Sequence, residues 1–181
     1  MKQNKSRYAI LGVLNIAPAT GYDIKKYYDT VISGIWNENY GAIYPTLKTM
    51  QKEGCIKKIC DETETRKNRY EITSQGRAEL MKWMQEETPA QPVRSEFMLK
   101  FLFSSTLPVE TIITMLNQYL NWHEMELDKY RKFEENLSKG ISEITDERAR
   151  FLRATFRRGI LAAEASVAWC KETIQEFLKD T

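Results

Sequence analysis

Apolar residues recur at steps of three and four through residues 5–17, where Tyr8, Leu11 and Leu14 share one face and Pro18 ends the run. That spacing predicts an amphipathic helix. A second helix is expected over "ATGYDIKKYYDTVISG": Thr20 can cap it, Ile24, Tyr27 or Tyr28, and Val31 face inward, and Gly34 closes it. After a short loop through Trp36 comes "NENYGAIYPTLKTMQKEG", residues 37–54, with Ile43, Leu47 and Met50 on one face and Gly54 as C-cap. Pro45 fits this third helix only in or near its first turn, where its missing N–H costs little. The period then changes from helical to alternating. "CIKKICDE" and "KNRYEIT" are short and rich in β-branched and aromatic residues, the signature of a two-stranded hairpin. Along its second strand Tyr70 and Ile72 point one way, and Lys67, Arg69 and Glu71 the other. Thr73 or Ser74 caps a fourth helix with Ala78, Leu80 or Met81, and Trp83 or Met84 inside.

"TPAQPVR", residues 88–94, is aperiodic and holds two prolines, so it reads as a linker between domains at 1–87 and 95–181. Beyond it "SEFMLKFLFSS" is strongly apolar. A long helix starts near Pro108 and carries Val109, Ile113, Leu116, Leu120, His123, Leu127, Tyr130 and Leu137 at steps of four and three. A last helix, from about Asp146 to Lys179, repeats the pattern through Leu152, Phe156, Ala163, Val167, Cys170, Ile174 and Phe177. These are heptad-like seams. Two long helices joined near Gly140 cannot bury both faces alone and need the N-terminal domain or a second copy; a homodimer is expected, with Leu116, Leu120, Leu127, Tyr130, Phe156, Val167 and Ile174 as its contacts. The fold class expected is mainly α (α+β): three helices and a hairpin, the order of a winged helix-turn-helix, followed by a long-helix dimerisation domain.

Composition narrows the function. No apolar run reaches the roughly 18 residues of a membrane span. The N-terminal stretch reads as part of the fold, so a cytoplasmic protein is expected. Three cysteines make no disulfide framework, and Cys55 and Cys60, five apart on a strand, face opposite sides. The single histidine, His123, is far from both, so no metal, cofactor or catalytic constellation is expected. Residues 1–77 carry 13 Lys and Arg against 8 Asp and Glu, the remainder 14 against 17. A basic N-terminal part points to a polyanion as partner.

The third helix carries the sharpest signal. Opposite its apolar stripe, Gly41, Pro45, Lys48 and Lys52 fall within about 60° of arc, with Tyr44 at the flank and no acid before Glu53. Small residues there permit close approach, and free N–H groups at a helix start favour phosphate. Thr46 and Thr49 are the candidates for base edges, and Lys48, Lys52, Arg66, Lys67 and Arg69 for phosphates. Tyr44 is read as a contact. Tyr40 is either a groove-facing donor or half-buried packing. Tyr22 and Lys25 either touch the DNA backbone or serve packing and solvation.

"YAILGVL", "GYDIKK", "YGAIYPTLKTMQKEG" and "RYEITSQGRAEL" follow one another at the spacing of the PadR family of bacterial transcriptional regulators, which residues 8–83 resemble. "SEFMLKFLFSSTLP" resembles the start of the helical domain in the larger members. The resemblance implies a homodimer that represses transcription at a palindromic duplex operator and is released by a small phenolic or drug-like effector. Trp36, Phe97, Met98, Phe101 and His123 are read either as core or as the walls of that effector's pocket. The wing departs from the family's pattern: Arg69 stands for the first of its paired aromatics, and the tip is acidic at Asp61, Glu62 and Glu64. The reading from a different class is a helical adaptor that binds a partner protein through residues 95–137 and no longer binds DNA.

Overall fold

The computed structural model describes residues 5–32, 40–59, 68–90, 94–138 and 146–179. The chain divides into two compact units, residues 1–90 and 91–181. Helix α1 spans Lys5–Ile16 and buries Tyr8, Ile10, Leu11, Val13 and Leu14. A two-residue strand, β1 (Ala19–Thr20), leads directly into α2 (Gly21–Tyr27) and a π-helical turn over Tyr28–Ile32. Thr20 caps α2 through a capping box: its hydroxyl accepts from the Asp23 N–H, and the Asp23 carboxylate accepts from the Thr20 N–H. Of the two tyrosines that competed for the core, Tyr28 is buried and Tyr27 half-buried. The π-helical turn continues the helical run to Ile32; Gly34 and Trp36 lie outside the described residues.

A 3-10 turn (Tyr40–Ala42) opens α3 (Ile43–Lys52), so Pro45 occupies the first turn as its chemistry requires. The end of α3 is a Schellman motif. Gly54 takes φ +77°, its N–H reaches the Gln51 carbonyl (3.2 Å), and the Cys55 N–H reaches that of Met50 (3.0 Å). Strands β2 (Ile56–Ile59) and β3 (Arg69–Ile72) form the expected antiparallel hairpin. The sheet has a third strand that periodicity does not reveal: β1 pairs with β3, Ala19 opposite Tyr70, giving the order β1-β3-β2. Thr73 caps α4 (Ser74–Gln85). On α4 the core takes Leu80, and Trp83 stacks on Tyr8 at 4.5 Å, whereas Ala78, Met81 and Met84 are exposed. The first unit is therefore a winged helix-turn-helix.

One polar cluster ties its parts together. Arg7 on α1 donates to Glu79 on α4, to Glu53 at the end of α3 and to the Cys55 sulfur (2.9 Å). The Cys55 thiol in turn donates to Glu79 (3.1 Å). The guanidinium holds the Glu79 carboxyl below its ordinary range, and burial pushes the Cys55 thiol up to about 11, which leaves it protonated and unreactive.

The second unit holds α5 (Glu96–Leu102), α6 (Val109–Ser138) and α7 (Asp146–Lys179). Ile112, Leu116 and Ile174 pack with Phe97, Phe101, Leu120, Trp169 and Phe177, and Leu127 and Tyr130 pack with Ile160 and Ala163. Phe156 is buried against Phe133, with ring centroids 3.8 Å apart, and Val167 is half-buried. This corrects the expected dimer contacts at Leu116, Leu127, Phe156 and Ile174. Leu116, Leu127, Phe156 and Ile174 are buried within one chain, and Leu120, Tyr130 and Val167 are partly covered there, because the heptad seam of α6 meets the seam of α7. Periodicity shows that a helix has a partner but not whose helix it is. Exposed instead are Leu99, Leu102, Phe103, Leu107, Trp122 and Met125, an apolar surface carried by α5, the turn after it and α6.

Candidate nucleic-acid interface

The burial of α3 separates an anchoring face from a free one. Ile43, Thr46, Leu47 and Met50 are buried; Gly41, Tyr44, Pro45, Lys48, Thr49 and Lys52 are exposed. Lys48 and Lys52, one turn apart, have no ion-pair partner among the described residues. Thr46 is only 7% exposed, which corrects its expected place at base edges: three residues beyond Ile43 and four before Met50, it belongs to the inward stripe. Thr49 keeps the outward position, its hydroxyl donating to the Pro45 carbonyl at 3.1 Å.

The starts of α2 and α3 meet. The Tyr44 ring lies over Gly21, the first residue of α2, so closely that a Cβ at Gly21 would stand 2.6 Å from Tyr44 Cε1. Tyr44 is nevertheless 64% exposed, and Tyr22, the next residue of α2, 68%. Lys25 is exposed one turn further on. Tyr22, Gly41, Tyr44 and Pro45 thus crowd two helix N-termini; that of α2 already holds the Asp23 carboxylate of its capping box, whereas that of α3 has no side-chain cap and its dipole favours an anion. The side chain of Tyr40 lies outside what is described.

The wing is different from its expected form. Arg69 is half-buried and donates through Nε and Nη2 to the Pro18 carbonyl (3.2 and 3.0 Å), strapping the residue before β1 to β3. Two of its guanidinium nitrogens are thus engaged inside the chain, a structural task beside the expected phosphate contact. Arg66 and Lys67 lie outside the described residues. The sequence reading passed over Lys57 and Lys58 of β2. Both are exposed; Lys57 pairs across the hairpin with Glu71 (3.0 Å), while Lys58 has no partner among the described residues. Two adjacent lysines on an otherwise apolar strand were the available signal.

The residues expected to line an effector pocket are spread over other tasks. Phe97 stacks on Tyr119 (centroids 3.8 Å apart), Phe101 meets Trp169 edge-on (5.4 Å), and Met98 is exposed. His123 meets Tyr119 edge-on (4.4 Å). Its Nε2 is buried without a hydrogen-bond partner, and burial holds its pKa below the usual value. Phe97 also borders a cleft of about 540 Å³ between α5 and α6, with Lys100, Met115, Tyr119 and Trp122 on its walls. Among the described residues no cluster of His, Cys, Asp and Glu could hold a metal, and no helix is long and apolar enough to cross a membrane.

The chain matches a model described as the transcriptional regulator PadR-like family over residues 10–82, and one described as virulence activator alpha C-term over residues 93–177. The negative transcriptional regulator PadR of Bacillus subtilis is 32% identical over 124 residues, which cover 67% of this chain and 68% of that protein. A crystal structure of B. subtilis PadR with operator DNA is similar at a TM-score of 0.81 and 26% identity, over 96% of this chain and 99% of that one. One of the same regulator with p-coumaric acid is similar at 0.78 and 26%, over 94% and 97%.

Proposed function

This chain belongs to the PadR-like family of transcriptional regulators, not enzymes, and from that premise we propose that it is a cytoplasmic, homodimeric repressor of a palindromic operator. The observation that carries the reading is the outer face of α3: exposed Tyr44, Pro45, Lys48, Thr49 and Lys52 above a buried stripe that fixes the helix to the domain. Two copies place their α3 helices in successive major grooves about 34 Å apart. Lys48, Lys52 and Lys58 neutralise phosphates; Tyr22, Lys25 and Tyr44 hold position against the backbone, and Thr49 faces base edges. Repression is supported by the role of the B. subtilis relative as a negative transcriptional regulator.

The second copy docks on the exposed apolar side chains of Leu99, Leu102, Phe103, Trp122 and Met125. An aromatic acid of the kind bound by the relative enters the α5–α6 cleft, stacks beside Tyr119 and Trp122 and competes with Glu96, which pairs with Lys100 at 2.6 Å on the cleft wall, for that ammonium. Because that cleft lies on the docking surface, the effector alters how the two copies meet and so loosens the grip on the operator. The test is charge reversal of Lys48 and Lys52 together, with binding to DNA from upstream of the protein's own gene measured beside sedimentation. Lost DNA binding with an intact dimer supports the repressor. Unchanged binding refutes the assigned face and favours a helical adaptor.

A further inference from the structure

The chain beyond residue 77 is net acidic, with 14 Lys and Arg against 17 Asp and Glu. The start of α7 reverses that sign. From Arg150 to Arg158 stand four exposed bases, Arg150, Arg153, Arg157 and Arg158, and no acid. Arg150, Arg153 and Arg157 fall within about 60° of arc and span about 10 Å along the axis. They lie beside the buried row of Ala149, Phe156, Ile160 and Ala163, on the solvent side of it.

A solvated helix gains from opposite charges at i,i+3 and i,i+4 and loses from like ones. Arg150 with Arg153, and Arg153 with Arg157, are like pairs at those spacings. Elsewhere the long helices answer charge with charge: Lys129 pairs with Glu126 (2.7 Å), Lys132 with Asp128 (2.6 Å), Arg131 with Glu164 (2.9 Å) and Lys171 with Glu124 (2.7 Å). Arg150, Arg153 and Arg157 have no ion-pair partner among the described residues. This face is also remote from the end of the helical unit that follows the linker. There α5 packs through Phe97 and Phe101 on Trp169 and Phe177, and the rise of α7 from Phe177 back to the arginines is about 30–40 Å.

We propose that Arg150, Arg153 and Arg157 form a second phosphate-binding face, which grips duplex DNA flanking the stretch held by α3. Phosphate fits this face better than an acidic protein segment does. Protein partners are anchored by apolar or aromatic side chains at the centre of the contact. Here the exposed ring of Phe151 points about 100° or more round the helix, and Leu161 comes a turn beyond the last arginine. A phosphodiester backbone needs charge and a planar fork, and arginine supplies both.

The proposal rests on the reading that the winged unit binds DNA, and adds to it a second anchorage on the helical unit. It is tested on the full chain with two duplexes from upstream of the protein's own gene. The short one is the least that still binds in a Lys48- and Lys52-dependent way. The long one extends it by about 20 base pairs on each side, roughly two helical turns. At about 50 mM salt the wild type binds the long duplex about tenfold more tightly, and with the steeper salt dependence. Arg150→Gln with Arg153→Gln and Arg157→Gln removes that advantage and leaves the short duplex, the thermal midpoint and sedimentation unchanged. Lysine at the same three positions keeps most of the advantage, since the charge persists. A wild type indifferent to length overturns the proposal, as does a glutamine variant that keeps the advantage or loses affinity equally for both lengths. A glutamine variant with altered sedimentation also overturns it, making a second copy the occupant. A wild type that binds no fragment defeats the DNA-binding reading itself.

Discussion

Thr46 and Thr49 stand three residues apart on α3 and have opposite fates, one buried and one exposed. Thr46→Val should leave operator affinity unchanged, while Thr49→Ala should cost about 1 kcal/mol and relax sequence preference at one base pair, as read by binding to a set of single-base operator variants. Gly21 makes a second residue-scale prediction. A methyl there collides with the Tyr44 ring, whose exposed position lets it swing away, so the winged unit survives. Gly21→Ala should therefore keep its melting temperature within a few degrees but weaken DNA binding, because Tyr44 leaves its place beside the start of α2. Gly76 is the contrasting case. A Cβ there would stand 2.1 Å from the Cys55 carbonyl oxygen, which belongs to backbone and cannot swing aside. Gly76→Ala should cost about 1–3 kcal/mol of stability, measured by urea unfolding. The face of Lys48 and Lys52 was legible in the sequence because helical period alone sorts in from out. The commitment of Arg69 was not, because its acceptor, the Pro18 carbonyl, lies 51 residues away.

Between elements, the Arg7 cluster joins α1, the end of α3, the start of β2 and α4. It stabilises the orientation of α3, the helix proposed to face DNA. Glu79 sits below its ordinary carboxylate range in the folded protein, so its ionised form stabilises the fold at neutral pH. That contribution is lost as pH falls from the ordinary glutamate value (about 4.3) through the lowered native one. Urea midpoints at pH 7 and pH 3 should thus differ more in the wild type than in Glu79→Gln. The caps were legible: Thr20, Gly54 and Thr73 are residue types whose local chemistry fixes a helix end. Strand β1 was hidden, since two residues show no period and Thr20 already served as a cap. The α6 and α7 seams were legible as seams, but Leu116, Leu127, Phe156 and Ile174 could not reveal that their partner lies in the same chain.

At the scale of the whole molecule, the winged unit supplies a cationic helix face and the helical unit supplies an apolar surface suited to a second copy. The proposed regulator of a palindrome needs both, since it must hold two recognition helices at a fixed spacing. The family was legible from the "IYPTL" core and its glycine ending, since those residues serve at once as stripe, first-turn proline and cap. The α5–α6 cleft was not legible, because Phe97, Phe101 and His123 pack against other aromatic rings and the cleft wall includes Met115, Tyr119 and Trp122 from a helix read only as a seam. The most direct test of DNA binding through the α3 face is the salt dependence of affinity for DNA upstream of the protein's own gene. A dimer that neutralises roughly 6–10 phosphates should lose about 10³–10⁵ in affinity between 50 and 200 mM salt, with a slope that shrinks when Lys48 and Lys52 are replaced by glutamine. A nearly flat dependence, or a slope unmoved by those substitutions, would contradict it.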